Sequence, residues 1–309
     1  MVNERAVDRI GSGLVYGAAA NVLWGVFPLY FLLLAPAGAF EIVAWRVLFS
    51  LAFCALALTV TRSWRSFGAL LRRRRVVLTM GLAGALIYVN WQTYVLGTLA
   101  GRVVETALGY FTMPLVTALL GVLVLHERLR RMQWVALALG GAAVLVIALG
   151  YGEVPWIAIV LALSFGAYGL VKRRVRDDVD APSGLALETL WLAPVAVVQL
   201  VVVSVTSGLV FGTAGWVNTV LLMLAGVVTA VPLLLFASAA RRLPLTVLAV
   251  VQYIVPVLQF VIGVWVLHEP MPLERWLGFG IVWLALVVFT VDLLRSRRPV
   301  SHESLTIAT

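Results

Sequence analysis

The amino-acid sequence predicts an all-α integral membrane protein with ten transmembrane helices, arranged as two inverted five-helix repeats. Three observations lead to this fold class: the apolar composition, ten apolar segments of membrane-spanning length, and a motif that occurs twice. Of the 309 residues, 62% are hydrophobic and 12% are charged, and the mean hydropathy is +1.04. Soluble domains are typically about 45–50% apolar and about 25% charged, so a water-soluble core cannot bury this many apolar side chains.

Ten apolar segments are long enough to cross a bilayer, which requires about 20 residues in an α-helix. They are residues 12–34, 38–61, 76–99, 103–125, 133–150, 154–171, 184–207, 217–239, 244–267 and 273–293. The first segment is longer than the apolar region of a typical signal peptide, so we expect it to remain as a span. The polar residues 295–309 are expected to form a disordered cytoplasmic tail.

One stretch of the chain occurs twice. Residues 114–134 read PLVTALLGVLVLHERLRRMQW, and residues 256–276 read PVLQFVIGVWVLHEPMPLERW. Aligned without a gap at an offset of 142, eight of the 21 positions match, including the proline, the His-Glu pair and the tryptophan. A repeat at about half the chain length indicates that a whole bundle was duplicated, which predicts two five-helix units, 10–150 and 154–294.

The positions of the cationic residues predict the orientation of the chain. With the N-terminus inside and ten crossings, twenty of the 23 Lys and Arg residues fall inside, two fall outside, and Arg46 lies within a span. Because cationic residues collect in cytoplasmic loops, both termini are predicted to be cytoplasmic, and the net charge of +9 requires no nucleic-acid partner. Five spans is an odd number, so the second unit is inverted relative to the first, as in many transporters.

The two copies of the repeat carry equivalent polar stripes. Each stripe is spaced i, i+4, i+7: Tyr110, Pro114 and Thr117 in the fourth span, and Gln252, Pro256 and Gln259 in the ninth. This spacing places each set on one face of its helix. Each proline is also expected to kink its helix and to free the carbonyl four residues earlier. We interpret the stripes as walls of a central cavity, and the alternative is that they only kink and link neighbouring helices.

Other amide and aromatic side chains inside spans would complete the lining of this cavity. They are Asn21, Trp24, Asn90, Tyr94 and Tyr168. Such a lining suits a small organic molecule better than a bare ion. The alternative for each residue is hydrogen bonding and packing between helices.

Three ionisable side chains within or near spans are further candidates, because a charge inside a bilayer is costly. Arg46 is the deepest cation and could receive an anionic group. The alternatives are an ion pair with a carboxylate such as Glu105, or a side chain that reaches the outer surface. Glu105 and Glu188 are candidates for proton coupling, and the alternative is a structural position at the membrane interface.

The sequence contains no motif of an enzyme or of a metal site. His126 and His268 are predicted at opposite membrane faces, so they cannot share a metal, and neither has a nearby ligand set. No HExxH, GxSxG or Gly-rich phosphate loop occurs, so ATP is not expected as the direct energy source. We predict no catalytic residue and no cofactor.

Several strings of residues are similar to those of a known family. They are Asn21-x-x-Trp24-Gly25, Asn90-Trp91, Glu105-Thr106-x-Leu108-Gly109-Tyr110-Phe111, Glu188-Thr189-Leu190 and Gln252-Tyr253-Ile254-x-Pro256. Together with two halves that each close on a Pro…Gly…Glu…Trp pattern, they resemble the EamA-type permeases of the drug/metabolite transporter superfamily, and within it the RarD group. The resemblance covers about residues 10–294, implies a bacterial inner-membrane permease, and adds Tyr253 to the candidates for substrate binding.

We therefore expect a secondary transporter that moves a small organic metabolite or drug across the bacterial cytoplasmic membrane by alternating access, in the outward direction. The expected partners are the solute and membrane lipid, and the chain is expected to be a monomer or a homodimer. The alternatives are a passive facilitator or lipid scramblase on the same fold, and a membrane-embedded enzyme.

Overall fold

The computed structural model describes residues 2–151, 153–175 and 178–295, and within these ranges no residue forms a β-strand. The α-helices are α1 (Val2–Gly25), α2 (Phe27–Leu33), α3 (Ala39–Val60), α4 (Trp64–Leu71), α5 (Arg74–Leu99), α6 (Val103–Leu125), α7 (Arg131–Tyr151), α8 (Trp156–Arg173), α9 (Ala181–Thr206), α10 (Trp216–Ala240), α11 (Leu245–Gln252), α12 (Ile254–Val261) and α13 (Leu273–Arg295). A π-helical turn, Ile262–Val266, continues α12. Except for residue 295, the tail predicted to be disordered lies outside the described residues.

Each of the ten predicted spans has a helical counterpart. Within the described ranges, eight helices and the stretch Val247–Val266, which includes α12 and the π-helical turn, are long and apolar enough to cross a membrane. A tenth span results when the pair α1 and α2, bent by 42°, is counted as one. Large apolar side chains such as Leu149 and Val205 are 83% and 80% exposed, as expected for surfaces that face lipid. The chain is therefore a multi-pass, all-α membrane protein.

Two of the spans are broken, and prolines account for both breaks. Pro28 lies in the first turn of α2, where its missing N–H leaves no helix bond unmade, and the chain bends just before it. Pro256 cannot donate to the carbonyl of Gln252, and α11 ends at Gln252. Pro114, in contrast, lies inside α6, which continues without a break.

The short helix α4 lies within residues 62–75, which the apolar pattern predicts as a connection between spans. Its Phe67 and Leu70 are buried, whereas Trp64 and Arg65 are exposed, so the helix lies along the end of the bundle. The i, i+3 spacing of the two buried side chains was the available signal, but eight residues are too few to cross a membrane.

The helices pack in pairs that are related between the two halves. In chain order, each span of the first half corresponds to one of the second: the pair α1 and α2 to α8, α3 to α9, α5 to α10, α6 to the pair α11 and α12, and α7 to α13. The equivalent helices α3 and α9 pack together, as do α7 and α13, and α6 and α12. The packing of α5 and of α6 on α8 is matched by the packing of α10 and of α12 on α1, and α3 on α10 is matched by α9 on α5.

The contacts between loops define two ends of the bundle. At the basic end, Arg73 pairs with Asp178 at 2.9 Å and Arg173 pairs with Glu127 at 3.2 Å. At the opposite end, backbone N–H groups of Val103 and Val104 donate to Glu269. The two matching glutamates of the repeat, Glu127 and Glu269, therefore lie at different ends.

Close contact between α3 and α10 brings polar side chains of the two helices opposite each other in the centre of the bundle. A Cβ atom at Gly226 in α10 would overlap the carbonyl carbon of Phe49 in α3, so the two backbones touch at this point. Small residues permit such an approach between membrane helices. One turn away on each helix, Arg46 and Thr229 face each other as a result.

Candidate functional site

A buried arginine lies where α2, α3, α5 and α10 meet. Arg46 is 4% exposed, and its Nε donates to Thr229 Oγ1 at 2.7 Å. Its guanidinium carbon lies 4.2 Å from the centre of the Trp91 ring, and 5.5 and 5.6 Å from the rings of Phe31 and Phe27. Such cation–π contacts contribute about 2 kcal/mol when the cation is desolvated, so the rings stabilise a guanidinium that water does not reach.

Arg46 has no carboxylate partner among the described side chains, whose ion pairs do not include it. Glu105, the expected alternative partner, pairs with Arg102 at 2.6 Å and accepts a hydrogen bond from the N–H of Ile157 at 2.9 Å. The Arg46 side chain is also too deeply buried to reach the surface. Neither structural alternative proposed for this arginine agrees with its surroundings.

Two tyrosines extend the site towards the middle of the bundle. The Tyr94 ring lies 5.9 Å from Phe31 and 5.7 Å from Tyr110. Gln259 Nε2 donates to the Tyr94 hydroxyl at 3.0 Å, and the Tyr110 hydroxyl donates to Asn90 Oδ1 at 3.2 Å. The polar stripes of α6 and α12 thus meet through Tyr94, and the Gln259 bond joins the two halves.

Several other predicted site residues lie beside this cluster, but two do not. The Trp24 carbonyl lies 3.5 Å from Gln259 Nε2, and Asn21, one turn earlier, donates to its own helix at the carbonyl of Gly17. Tyr253 packs instead in a second apolar cluster with α6, α7 and α13. Gln252, at the end of α11, makes no hydrogen bond with the central residues in the described part of the chain.

A second polar group lies between the centre and the basic end. Lys172 Nζ pairs with Glu188 Oε1 at 2.9 Å and donates to the Tyr168 hydroxyl, which in turn donates to Glu188 at 3.2 Å. Glu188 is 1% exposed. The ring of Phe165 connects this group to the centre, because it lies 6.3 Å from Tyr110 and 5.6 Å from Tyr168.

Arg46 and Glu188 occupy equivalent positions in the two halves, at the same offset of 142 that relates the repeated motifs. Each lies seven residues after the first residue of its helix, or about 10 Å along α3 and α9. Because α3 starts at the opposite end and α9 at the basic end, the arginine and the glutamate lie at matching depths from different ends.

The sequence analysis missed Lys172, Thr229, Phe31 and Trp91 as members of these groups. The repeat offset would have paired Arg46 with Glu188 from the sequence alone. Trp91 was named only in the Asn90-Trp91 string, and Phe31 gave no signal, since aromatic side chains occur throughout membrane helices.

Two cavities lie elsewhere in the bundle. A cavity of about 20 Å³ at the opposite end is lined by Arg102, Glu105 and Arg275 among others, and one of about 240 Å³ between α6, α7 and α8 is lined almost entirely by apolar side chains. Neither is lined by Arg46, Tyr94 or Tyr110.

Comparison with known proteins gives consistent matches along the chain. A family model described as the EamA-like transporter family matches residues 11–149 and again 154–291. The chain is 46% identical over 294 residues to the protein RarD of Streptomyces exfoliatus, covering 95% of this chain and 93% of the relative. It is 39% identical over 291 residues to the uncharacterized transporter YojE of Bacillus subtilis strain 168, covering 93% of this chain and 96% of the relative.

A solved crystal structure is also similar to the chain. Its TM-score is 0.57 at 19% sequence identity, and the match covers 93% of this chain and 99% of the solved chain. At this level of identity, the similarity supports the fold alone.

Proposed function

Because the chain belongs to the EamA-like transporter family, we propose that it is a secondary transporter that exports a small organic solute across the bacterial cytoplasmic membrane by alternating access. The family and the names of the relatives identify a membrane transporter, and the mechanism and direction are our proposal. The observation that carries it is the paired arrangement of the helices, in which the main contacts that join the two halves come in matched pairs: α5 on α8 with α10 on α1, α6 on α8 with α12 on α1, and α3 on α10 with α9 on α5.

Charge supports an inverted arrangement with both termini in the cytoplasm. The C-terminal part of α13 lies at the basic end, where Asp292 approaches Arg130 at 4.0 Å, and Gly13 of α1 packs against Arg242 at the same end. The basic end is the proposed cytoplasmic face, because cationic residues are retained inside. The opposite end then faces outward, and the equivalent residues Glu127 and Glu269 lie on different sides of the membrane.

The two equivalent glutamates make different contacts, as expected for a transporter caught in one state. The Glu269 carboxylate accepts hydrogen bonds from the N–H groups of Val103 and Val104, the first residues of α6, and thereby closes the outer end. Glu127 is exposed and pairs with Arg173. The counterpart of Val103 in the second half is Leu245, the first residue of α11, and the described contacts of Glu127 do not include it. We propose that Glu127 binds the start of α11 in the other state, while Glu269 releases α6.

Two opposing effects act on the carboxylate of Glu269. Burial raises the pKa of the Glu269 carboxyl, while the N–H groups of Val104 and Val103 and the charge of Arg275 oppose this shift. The unpaired N–H groups at a helix start favour a bound carboxylate, whereas water favours its release. A contact of this kind suits an end of the bundle that must open and close.

Replacing Glu269 with glutamine should loosen the outer contact. The amide presents an NH₂ group to one of the two backbone N–H groups, so one hydrogen bond is lost. We expect faster hydrogen–deuterium exchange in the first turn of α6 by about tenfold, the effect of about 1.4 kcal/mol. Mass spectrometry of the peptides that cover α6 measures this rate. Glu127→Gln, the equivalent change at the basic end, should leave exchange in this turn unchanged, and equal effects of the two variants would contradict the proposed contact.

The proposed solute site comprises Arg46, Asn90, Tyr94, Tyr110 and Gln259, with Trp24 and Asn21 beside it. Tyr168 and Glu188 lie on the route to the cytoplasmic face and carry the proposed coupling site, because the ring of Phe165 connects them to Tyr110. The second coupling candidate, Glu105, is held by Arg102 and by the N–H of Ile157. Pro114 and Pro256 have no N–H to donate to the carbonyls of Tyr110 and Gln252, four residues earlier.

Solute exchange in liposomes tests the proposal. Purified protein is reconstituted with a high internal concentration of unlabelled solute, and the uptake of the labelled solute is followed for a panel of organic acids, amines and neutral compounds. We expect transient accumulation of at least one compound, and its absence for the whole panel would contradict a transport function. Accumulation that does not respond to a pH step would favour the passive facilitator.

A further inference from the structure

We infer that the central site binds solutes that carry one carboxylate and an apolar, planar body, with the carboxylate on Arg46. This inference rests on the proposed function, because it names the class of solute that the transporter carries. Three observations support it: the charge balance of the buried groups, the hydrogen-bonding capacity left on Arg46, and the rings that surround it.

The buried carboxylates are all engaged away from Arg46 in the described part of the chain. Glu41 accepts hydrogen bonds from the N–H groups of Val210 and Phe211. Glu105 pairs with Arg102, Glu188 pairs with Lys172, and Glu269 binds the start of α6. Arg46 is therefore a buried cation without a counter-ion among the described residues, and an isolated charge in such surroundings is strongly unfavourable unless a partner supplies the opposite charge.

The guanidinium also retains most of its hydrogen-bonding capacity. Arginine has five N–H donors, and the one hydrogen bond that Arg46 makes among the described residues uses Nε. The acceptor is the neutral hydroxyl of Thr229. The fork of the terminal nitrogens matches the two oxygens of a carboxylate, which it can bind through two parallel hydrogen bonds.

The rings near Arg46 indicate the rest of the solute. Trp91 and Phe31 lie on the guanidinium itself, and Tyr94 and Tyr110 follow towards the basic end. Aromatic walls with a few fixed polar groups are typical of sites for small organic molecules. A planar apolar body can replace the ring contacts that separate when the site opens.

The same charge balance disfavours the binding of other classes of solute at the central site. An amine or the ammonium group of an amino acid would lie near Arg46 without an unpaired acid, since Lys172 already neutralises Glu188. A phosphate monoester carries a charge of about −1.5 to −2 at neutral pH and would require a second cation. One cation predicts one negative charge.

The test compares matched ligands in thermal unfolding of the full-length protein in detergent. The acids are acetate, butyrate, benzoate and phenylacetate; phenylacetamide, phenethylamine and phenylalanine are the uncharged, cationic and zwitterionic counterparts. A ligand that binds the folded state raises its melting temperature. We expect benzoate and phenylacetate to raise it and their counterparts to have little effect at equal concentration.

Variants of Arg46 locate the effect. Arg46→Gln should weaken the apparent affinity for phenylacetate by about 30-fold or more, because a buried charge partner is lost. Arg46→Lys keeps the charge but not the fork, and should give an intermediate loss. Arg73→Gln removes an arginine at the basic end and should leave the affinity unchanged.

Three results would overturn the inference: no response to any acid, a larger response to a counterpart than to its acid, or unchanged affinity in Arg46→Gln. The exchange assay in liposomes separates this failure from that of the transport proposal. Exchange of neutral or cationic compounds without exchange of acids leaves transport standing and removes the anion assignment. No exchange of any compound contradicts transport itself.

Discussion

Lys172→Met should be among the most destabilising substitutions in this chain. The side chain of Glu188 is 2% exposed, and its carboxylate depends on Lys172 at 2.9 Å for charge compensation. Removing one partner of a buried ion pair leaves an uncompensated charge, which destabilises a protein by about 3–5 kcal/mol. Thermal unfolding in detergent measures the loss.

The reverse substitution should be milder. The side chain of Lys172 is 34% exposed, so in Glu188→Leu the ammonium group can turn towards water at the basic end. The double variant leaves neither charge buried and should recover most of the stability lost in Lys172→Met, which a double-mutant cycle detects as coupling. The matched control is Arg73→Met, which breaks the exposed pair with Asp178 and should cost about 0–1 kcal/mol. Equal losses in Lys172→Met and Arg73→Met would contradict this account of the buried group.

Gln259→Ala and Tyr110→Ala should each reduce solute exchange about 30-fold or more. Gln259 connects the two halves through Tyr94, and Tyr110 holds Asn90. Truncation leaves a buried partner unsatisfied, at a cost of about 2 kcal/mol, or 30-fold in affinity. Initial rates of exchange in liposomes measure the effect, with the best solute of the panel.

Gln252→Ala is the matched control for Gln259→Ala. Both residues belong to the predicted polar stripe, but Gln252 makes no contact with the central residues in the described contacts. We expect the initial rate of exchange to stay within about threefold of that of the parent protein. This is a smaller change than the loss of one hydrogen bond, about 1 kcal/mol, would produce. Equal losses in the two variants would show that the stripe acts as a unit in another state of the cycle. Unchanged exchange in both Gln259→Ala and Tyr110→Ala would contradict the proposed site.

Much of the fold follows from the sequence, because membrane spans have a fixed length and an apolar composition. Each of the ten predicted segments corresponds to a helix or to a broken pair of helices, and the end of α11 at Gln252 agrees with Pro256 four residues later. The short helix α4 was missed because its apolar spacing extends over only two turns. The break between α1 and α2 was missed because glycine and proline, the residue types at positions 25 and 28, also occur inside unbroken helices of this chain.

The sequence predicts which residues belong to the site but not which partners they contact. Arg46, Tyr94, Tyr110 and Gln259 are unusual polar residues in apolar segments, so their types alone marked them. Their partners are not local: Arg46 meets a threonine 183 residues away, and Gln259 meets a tyrosine 165 residues away. No periodicity within one helix specifies such contacts. The Glu105 pair with Arg102 is different, since its i, i+3 spacing makes it readable from the sequence.

The orientation of the two repeat connections in the membrane tests the central claim most directly. In a Cys54→Ala background, Arg128→Cys and Met271→Cys each provide one thiol, in the connections that follow the two copies of the motif. A membrane-impermeant maleimide is applied to intact cells and to inverted vesicles. Inverted halves predict that the Met271→Cys variant reacts in cells and the Arg128→Cys variant in inverted vesicles. Labelling of both variants from the same side would contradict the inverted arrangement and the alternating-access mechanism built on it.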